Sequence, residues 1–440
     1  MLKRKMTARL TEWKNSGKSN GGRKPAMLIK GARQAGKTFV VREFARANYK
    51  NFVEINFEKQ SSARVAFKGD LDAQTIIRNL STAKLGRFEP GETLIFFNEV
   101  QCCARARTAV KSLVEDGRFD YVMSGSLSGI GYMDVPSHQA NFEEQAVMYP
   151  LDFEEFLWAT GVSADIVDRL RDDYAAARPV EAFLHQRIMK AYREFLVVGG
   201  MPEAVGTFVE NDNFSNTLKI QRGILDSYRN DLSSKKADKE KMLAKKMFDA
   251  IPRQLNKRNK RFVLTGIEKG TPARKYEKAL TRLTETGIAY NCFKAAALEA
   301  ELRFNEKRNL YKLYMLDAGL LCALGKSGIQ SALLRGDIET NGCGITENAV
   351  AVELAKKNIP LYYYDKRGRS EIDFVFEENG GLSAIEVKSG ENHKTHALLD
   401  RACEETETPL RRRMVFSRHN TEVGANGVIY YPLYMTMFLG

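Results

Sequence analysis

The 440-residue chain has no run approaching the ~20 consecutive apolar residues that a membrane-spanning helix needs, and its mean hydropathy is −0.38. Its cysteines, Cys102, Cys103, Cys292, Cys322, Cys343 and Cys403, include no C-x-x-C pair. That spacing argues against a zinc site and fits a reducing compartment better than a disulfide framework. The opening stretch MLKRKMTARLTEW is basic but lacks the apolar core of a secretory signal, so the expectation is a cytoplasmic protein without a membrane partner. There is no internal repeat and no low-complexity tract. Hydrophobic residues make up 43% and charged residues 28%, which excludes a mainly disordered or collagen-like chain.

What the chain does have is an excess of positive charge, 68 Lys and Arg against 55 Asp and Glu, for a net +13. The excess is segregated. Residues 1–50 hold 14 basic and 2 acidic side chains, and residues 229–282 hold 17 and 6. Together these segments exceed the net charge of the whole, so the remainder is net acidic. Segregated basic charge is either an electrostatic footprint for a polyanion or a solvated face without a partner.

Apolar runs alternate with helical patterns in the first half. AMLIKG (26–31), NFVEINF (51–57), TLIFFNEV (93–100) and FDYVMSG (119–125) read as strands. TFVVREFARANY (38–49) and RARTAVKSLVEDG (105–117) read as helices between them. Such alternation predicts an α/β fold built on a mostly parallel sheet. From Tyr149 to residue 232 the periodicity is helical. A polar, basic hinge, SSKKADKEK (233–241), then leads to two helices and a strand, IAYNCFKA (288–295). The last hundred or so residues return to mixed α/β, with a helix at ITENAVAVELAKK (345–357) and strands at LYYY, EIDFVF and LSAIEVK.

The strand AMLIKG runs into Gly31-x4-Gly36-Lys37-Thr38, which satisfies G-x-x-x-x-G-K-[ST] and opens an amphipathic helix. In this loop the backbone of Gly31, Ala32, Gln34, Ala35 and Gly36 would wrap phosphates at a helix N-terminus. Lys37 would reach the β- and γ-phosphates of ATP, and the Thr38 hydroxyl would ligate Mg²⁺. TLIFFNEV ends in Asn98-Glu99. Glu99 stands where a carboxylate would activate water, and Asn98 where an Asp usually holds the cation. Asn98 keeps an acceptor oxygen but brings no charge, so ATP binding should survive with slow hydrolysis, and Asn98→Asp is expected to speed it. Ser124, at the end of YVMSGS, either reaches the γ-phosphate or is a turn residue.

KGARQAGKT, IFFNEVQ, SGSLSGI, MYPLDFEEFLWATG and GGMPEAV, in this order, resemble a prokaryotic family of AAA-type ATPases. KLYMLDAGLL (312–321) and TENAVAVEL (346–354) extend the likeness over most of the chain. The family's C-terminal domain, of unknown function, is similar to a restriction-endonuclease fold. The resemblance implies an AAA-type core at 1–160, a helical lid at 161–232, a winged helix at 233–330 and a nuclease-like domain at 331–440. The family pattern has Asp where this chain has Asn98. Arg229, in YRNDL, is either a sensor arginine or an ordinary helix-surface residue. AAA-type cores often assemble into homo-oligomers with one subunit's arginine at its neighbour's nucleotide, so the resemblance makes a homo-oligomer an expectation.

In PARKYEKALTRLTETG, Arg274, Lys278 and Arg282 fall on one helix face, opposite Tyr276, Leu280 and Leu283. On a winged helix that basic face would meet DNA phosphates; on a spacer it would meet a protein. In EIDFVFEENGGLSAIEVKSG, Asp373 precedes a hairpin, and alternation puts Glu386 and Lys388 on one strand face. This is the D…E-x-K pattern of the PD-(D/E)xK nucleases, in which Asp373 and Glu386, with Glu347 from the preceding helix, would hold Mg²⁺ and Lys388 would activate water. A charged hairpin with a cross-strand ion pair has the same pattern. The reading is thus an ATP-binding ATPase acting on or sensing nucleic acid, or an ATP-sensing module that neither hydrolyses nor cuts and acts through protein partners.

Overall fold

Five short apolar strands organise the first part of the chain: β1 (Ala26–Gly31), β2 (Asn51–Asn56), β3 (Thr93–Asn98), β4 (Asp120–Ser126) and β5 (Glu143–Val147). They form one sheet in the order β2-β3-β4-β1-β5, with every neighbouring pair parallel. Because successive side chains alternate in direction, β1 buries Leu28 on one face and Met27 and Ile29 on the other. Both faces are covered. Trp13, Val41, Phe44 and Phe96 pack on one side, and Phe57, Ile76, Phe97 and Leu113 on the other. Helix Lys37–Asn48 buries Val40, Val41, Phe44 and Ala45, the i, i+3, i+4 stripe that seats it on the sheet.

The structure, a computed structural model, describes residues 2–16, 23–126, 141–232, 239–267, 273–337, 343–366, 370–404 and 406–440. The end of SGSLSGI and most of the SSKKADKEK hinge lie outside them. By contacts the chain forms two units, Lys3–Tyr149 with Glu285–Gly287, and Pro150–Thr284 with Ile288–Gly440.

The second unit begins with helices. PLDFEEF starts one with a capping box, in which the Asp152 side chain accepts from the Glu155 N–H and Glu155 reaches back to the Asp152 backbone. Two stretches that carry the family likeness, GGMPEAV and KLYMLDAGLL, meet here. Asp317 caps helix Ala318–Ala323, and its other carboxylate oxygen accepts from Gly200 N at 2.6 Å. A Cβ on Gly319 would lie 2.4 Å from Gly199 N, so glycine is required for the approach. Those motifs are structural.

The remaining strands are β6 (Ala289–Ala295), β7 (Glu306–Met315), β8 (Tyr362–Lys366), β9 (Ser370–Glu378), β10 (Gly381–Val387), β11 (Leu410–Ser417), β12 (Glu422–Val423) and β13 (Ile429–Pro432). They make one mixed sheet, ordered β12-β13-β11-β10-β9-β8-β6-β7. β9 and β10 join through Asn379-Gly380, both with positive φ, the two-residue turn that Asn-Gly favours. The winged-helix expectation meets a difference here. Helix Ala273–Glu285 is followed by the antiparallel pair β6–β7, but the free edge of β6 pairs in parallel with β8, from Phe293↔Tyr362 to Ala295↔Tyr364. An unpaired strand edge is a liability that a neighbouring strand removes. The hairpin is therefore the end of the eight-stranded sheet, and a boundary at residue 330 divides that sheet.

Among the described residues no helix is long and apolar enough to cross a membrane.

Candidate functional site

Gly31 ends β1 where the backbone after β5 passes close by; a Cβ there would meet Met148 O at 2.2 Å. The loop then turns through two left-handed residues, Gln34 (φ 63°) and Gly36 (φ 96°), before the helix opens at Lys37. Arg4, buried, holds this turn from the N-terminal helix region, donating to Ala35 O at 3.1 Å and Tyr149 O at 2.6 Å. Lys37 is buried too, and its Nζ donates to Gly31 O and Ala32 O, both at 2.8 Å. Burial pulls the Lys37 ammonium down to about 8, with Glu99 opposing and Arg33 assisting. An anion in the loop would reverse that shift.

β4 lies between β1 and β3 in the sheet, so Ser124 stands between the phosphate loop and the β3 end. Its hydroxyl donates to Asn98 Oδ1 at 2.9 Å, and the Thr38 hydroxyl reaches the same oxygen at 3.3 Å. The other end of the amide donates from Nδ2 to Glu54 Oε1 at 2.9 Å. Glu54 is clamped by Arg42 through Nε (2.6 Å) and Nη2 (2.9 Å). Thr38 and Arg42 are one turn apart on one helix face, so Thr38, Asn98, Glu54 and Arg42 close a polar ring. Sequence reading named Thr38, Asn98 and Ser124 but missed Glu54 and Arg42. The available signal was the Thr38-x3-Arg42 spacing and a lone carboxylate in the apolar alternation of NFVEIN.

Glu99 follows with φ 57°, an uncommon left-handed conformation for a non-glycine residue, of the kind that concentrates at functional sites. Its Oε2 accepts from Gln101 Nε2 at 2.5 Å, and Gln101 also donates to Ser126 Oγ at 3.2 Å. Gln101 Oε1 is buried without a partner among the described residues. Gln101 is a further residue that sequence reading passed over. Thr38 and Asn98 offer two neutral oxygens, a set that fits a Mg²⁺ whose charge is matched by phosphates rather than by protein carboxylates.

Three acidic residues of the second unit gather at helix Cys343–Lys356, which carries Glu347. Glu347 is fully buried there. Oxygens of Glu347, Glu371 and Asp373 lie within 4.8 Å of one another. Glu386 is not in that group. Its Oε1 takes Lys388 Nζ at 2.7 Å, and its Oε2 is buried without a partner among the described residues. The expected trio of Glu347, Asp373 and Glu386 is thus replaced geometrically by one containing Glu371. The SEIDF alternation could have signalled this, since Glu371 and Asp373 share a face.

Among these carboxylates stands Lys312, wholly buried on β7. Its Nζ lies 2.8 Å from Glu347 Oε1 and 3.5 Å from Asp373 Oδ1, and it also pairs with Glu371. Lys260 and the Tyr314 hydroxyl add further bonds to Glu347. Burial alone would raise Glu347, but Lys260 and Lys312 outweigh it and hold it down at about 2. Asp373, raised by burial and by the Glu347 charge to about 8, accepts from Val387 N at 2.8 Å. For Lys312, burial opposes the charge, but the carboxylates hold its affinity for a proton well above the ordinary value. A divalent cation would need the place this ammonium takes, so the donor set as arranged does not fit Mg²⁺. A lysine inside the apolar run LYKLYML was the sequence signal.

On helix Ala273–Glu285, Tyr276, Leu280 and Leu283 are buried, while Arg274 and Lys278 are exposed and Arg282 is half-buried. Arg229 ion-pairs with Asp226 and Asp249 (3.0 and 2.8 Å), which agrees with the helix-surface alternative.

Residues 23–157 match the family described as AAA domain. This part of the chain is an AAA-type P-loop ATPase domain. Residues 189–332 and 344–435 match two families described as Domain of unknown function, DUF8612 and DUF4143. Among curated proteins none matches the chain. Similar solved structures include a Walker-type ATPase of Pyrococcus abyssi, 13% identical, with a TM-score of 0.45 over 74% of this chain and 96% of that one. Others are the Aeropyrum pernix Orc1 protein in complex with DNA (13% identical, TM-score 0.27, 76% of this chain and 90% of that one) and Cdc6p from Pyrobaculum aerophilum (14%, 0.25, 76% and 94%). None reaches a TM-score of 0.5, and no ligand or partner of this chain follows from them.

Proposed function

We propose that the ATPase domain binds ATP with Mg²⁺ and hydrolyses it slowly, and that the chain uses this nucleotide cycle to act on or sense nucleic acid. The observation that carries the reading is the convergence of Lys37, Thr38, Asn98 and Ser124, with Glu99 next to Asn98 in strained backbone. Lys37 would exchange the Gly31 and Ala32 carbonyls for phosphate oxygens. Thr38 and Asn98 would hold Mg²⁺, which when bound neutralises charge on the phosphates. Glu99, oriented by Gln101, would take the proton of the attacking water. Lys37→Ala is expected to abolish ATP binding. Glu99→Gln should keep it and lower turnover by at least ~100-fold, the usual minimum for a general base. Equal turnover by Glu99→Gln and wild type would reject this assignment.

For the C-terminal cluster, the position of Lys312 favours one part of the second reading, that the module does not cut, while slow hydrolysis and contact with nucleic acid stay with the first. Asp373, Glu386 and Lys388 then serve the fold, and the basic face of Arg274, Lys278 and Arg282 is the candidate DNA contact.

A further inference from the structure

Asn98 is the anomaly of the nucleotide site, because an amide stands where a carboxylate is expected. An amide has two faces, and only its oxygen is useful to a cation. In this structure the choice is made by Glu54. The Nδ2 of Asn98 donates to Glu54 Oε1 at 2.9 Å, leaving Oδ1 to receive Ser124 and to face Thr38. Turning the amide over would set its oxygen against the Glu54 carboxylate, two acceptors with no proton between them. Glu54 cannot turn away cheaply, because Arg42 holds both of its oxygens in a fork at 2.6 and 2.9 Å.

Resting on the nucleotide-site reading above, we infer that Glu54 is the positioning residue of the site. It fixes the Asn98 oxygen toward the cation and supplies, one strand removed, the negative charge that Asn98 lacks. Asn98 and Glu54 together are the acidic element, with the proton-bearing nitrogen between charge and oxygen. A carboxylate accepting from an amide N–H polarises that amide and makes its oxygen a better ligand.

This changes the consequence of restoring Asp. With Asn98→Asp alone, two carboxylates would face each other at hydrogen-bond distance, and one would have to take up a proton or move away. The rescue should come only from the exchange, Asn98→Asp with Glu54→Gln, which keeps one amide and one carboxylate in the same bond and turns the charge toward Thr38.

The test uses four full-length proteins: wild type, Glu54→Gln, Asn98→Asp and the double variant. Three readouts are taken: melting in EDTA without nucleotide, affinity for a non-hydrolysable ATP analogue with and without Mg²⁺, and kcat with its Mg²⁺ half-saturation. Glu54→Gln should weaken the Mg²⁺-dependent gain in analogue affinity about 10-fold, as loss of a residue supporting a metal ligand does, with Mg²⁺-free affinity within ~2-fold. Asn98→Asp alone should melt lower than wild type and gain less than ~2-fold in kcat, and the double variant should melt above Asn98→Asp alone, short of wild type because the Arg42 fork is lost, and exceed wild-type kcat about 10-fold. A full kcat gain by Asn98→Asp alone with unchanged melting overturns the inference, as does a Glu54→Gln protein with wild-type Mg²⁺ dependence. Failure of wild type to bind the analogue, with or without Mg²⁺, would instead overturn the nucleotide-site reading itself.

Discussion

Lys37 is a buried cation that the fold holds on two backbone carbonyls, and its ammonium sits at about 8 because burial disfavours the charge. The protonated form is the one that binds phosphate, so binding must raise this value and take up a proton wherever the free site has lost it. Affinity for ATP in EDTA should therefore be flat from about pH 7 to 8, where the terminal phosphate is ionised, and fall above it, by up to about tenfold per pH unit. Isothermal titration from about pH 7 to 10 would check this, with Lys37→Arg weaker but flat, since guanidinium keeps its proton throughout. The P-loop was legible in the sequence because its chemistry is contiguous: glycines, lysine and threonine follow one another within eight positions. Glu54 was not, because its partner Asn98 lies 44 positions away, and only the pairing of β2 with β3 brings them together.

Elements were read well where one pattern governs one segment, as in β1, the helix at Lys37–Asn48 and the β9–β10 hairpin with its Asn-Gly turn. They were read less well where a neighbour decides. Nothing in IAYNCFKA says that its outer edge will pair with β8 rather than face solvent as part of a wing. β5 was missed because EEQAV is polar; it is held by parallel pairing with β1, not by its own apolar content. The helix at Ala273–Glu285 keeps its reading at this scale. Its apolar stripe is buried, and Arg274 and Lys278 stand exposed on the other side. Reversing both charges should leave the fold intact. If this face meets DNA, Arg274→Glu with Lys278→Glu should weaken duplex binding and flatten the slope of log affinity against log salt by about two units. Unchanged affinity and slope, measured by fluorescence anisotropy over a salt series, would reject the face as a DNA contact.

Over the whole molecule, net positive charge and its two basic segments fit either an anionic partner or a solvated face, but the buried charge of the second unit follows a different logic. Lys312 on β7, Lys260, Glu347 on helix Cys343–Lys356, and Glu371 and Asp373 on β9 come from separate segments and meet around the fully buried Lys312 and Glu347. The D…E-x-K pattern was visible, yet what stands between the carboxylates was not, since Lys312 is 35 positions from Glu347 and precedes the motif. Removing one partner from such a network leaves uncompensated buried charge, at a cost of about 3–5 kcal/mol. Lys312→Met should therefore melt well below wild type in EDTA, and Mn²⁺ should restore part of the loss, because the ammonium would no longer stand among the three carboxylates, of which Glu347 would still hold Lys260. Wild type, with the ammonium already in that place, should cut no DNA in Mg²⁺ or Mn²⁺. Metal-dependent cleavage by wild type that disappears in Asp373→Ala would show that Lys312 yields its place to a metal, and the tail would then be a nuclease.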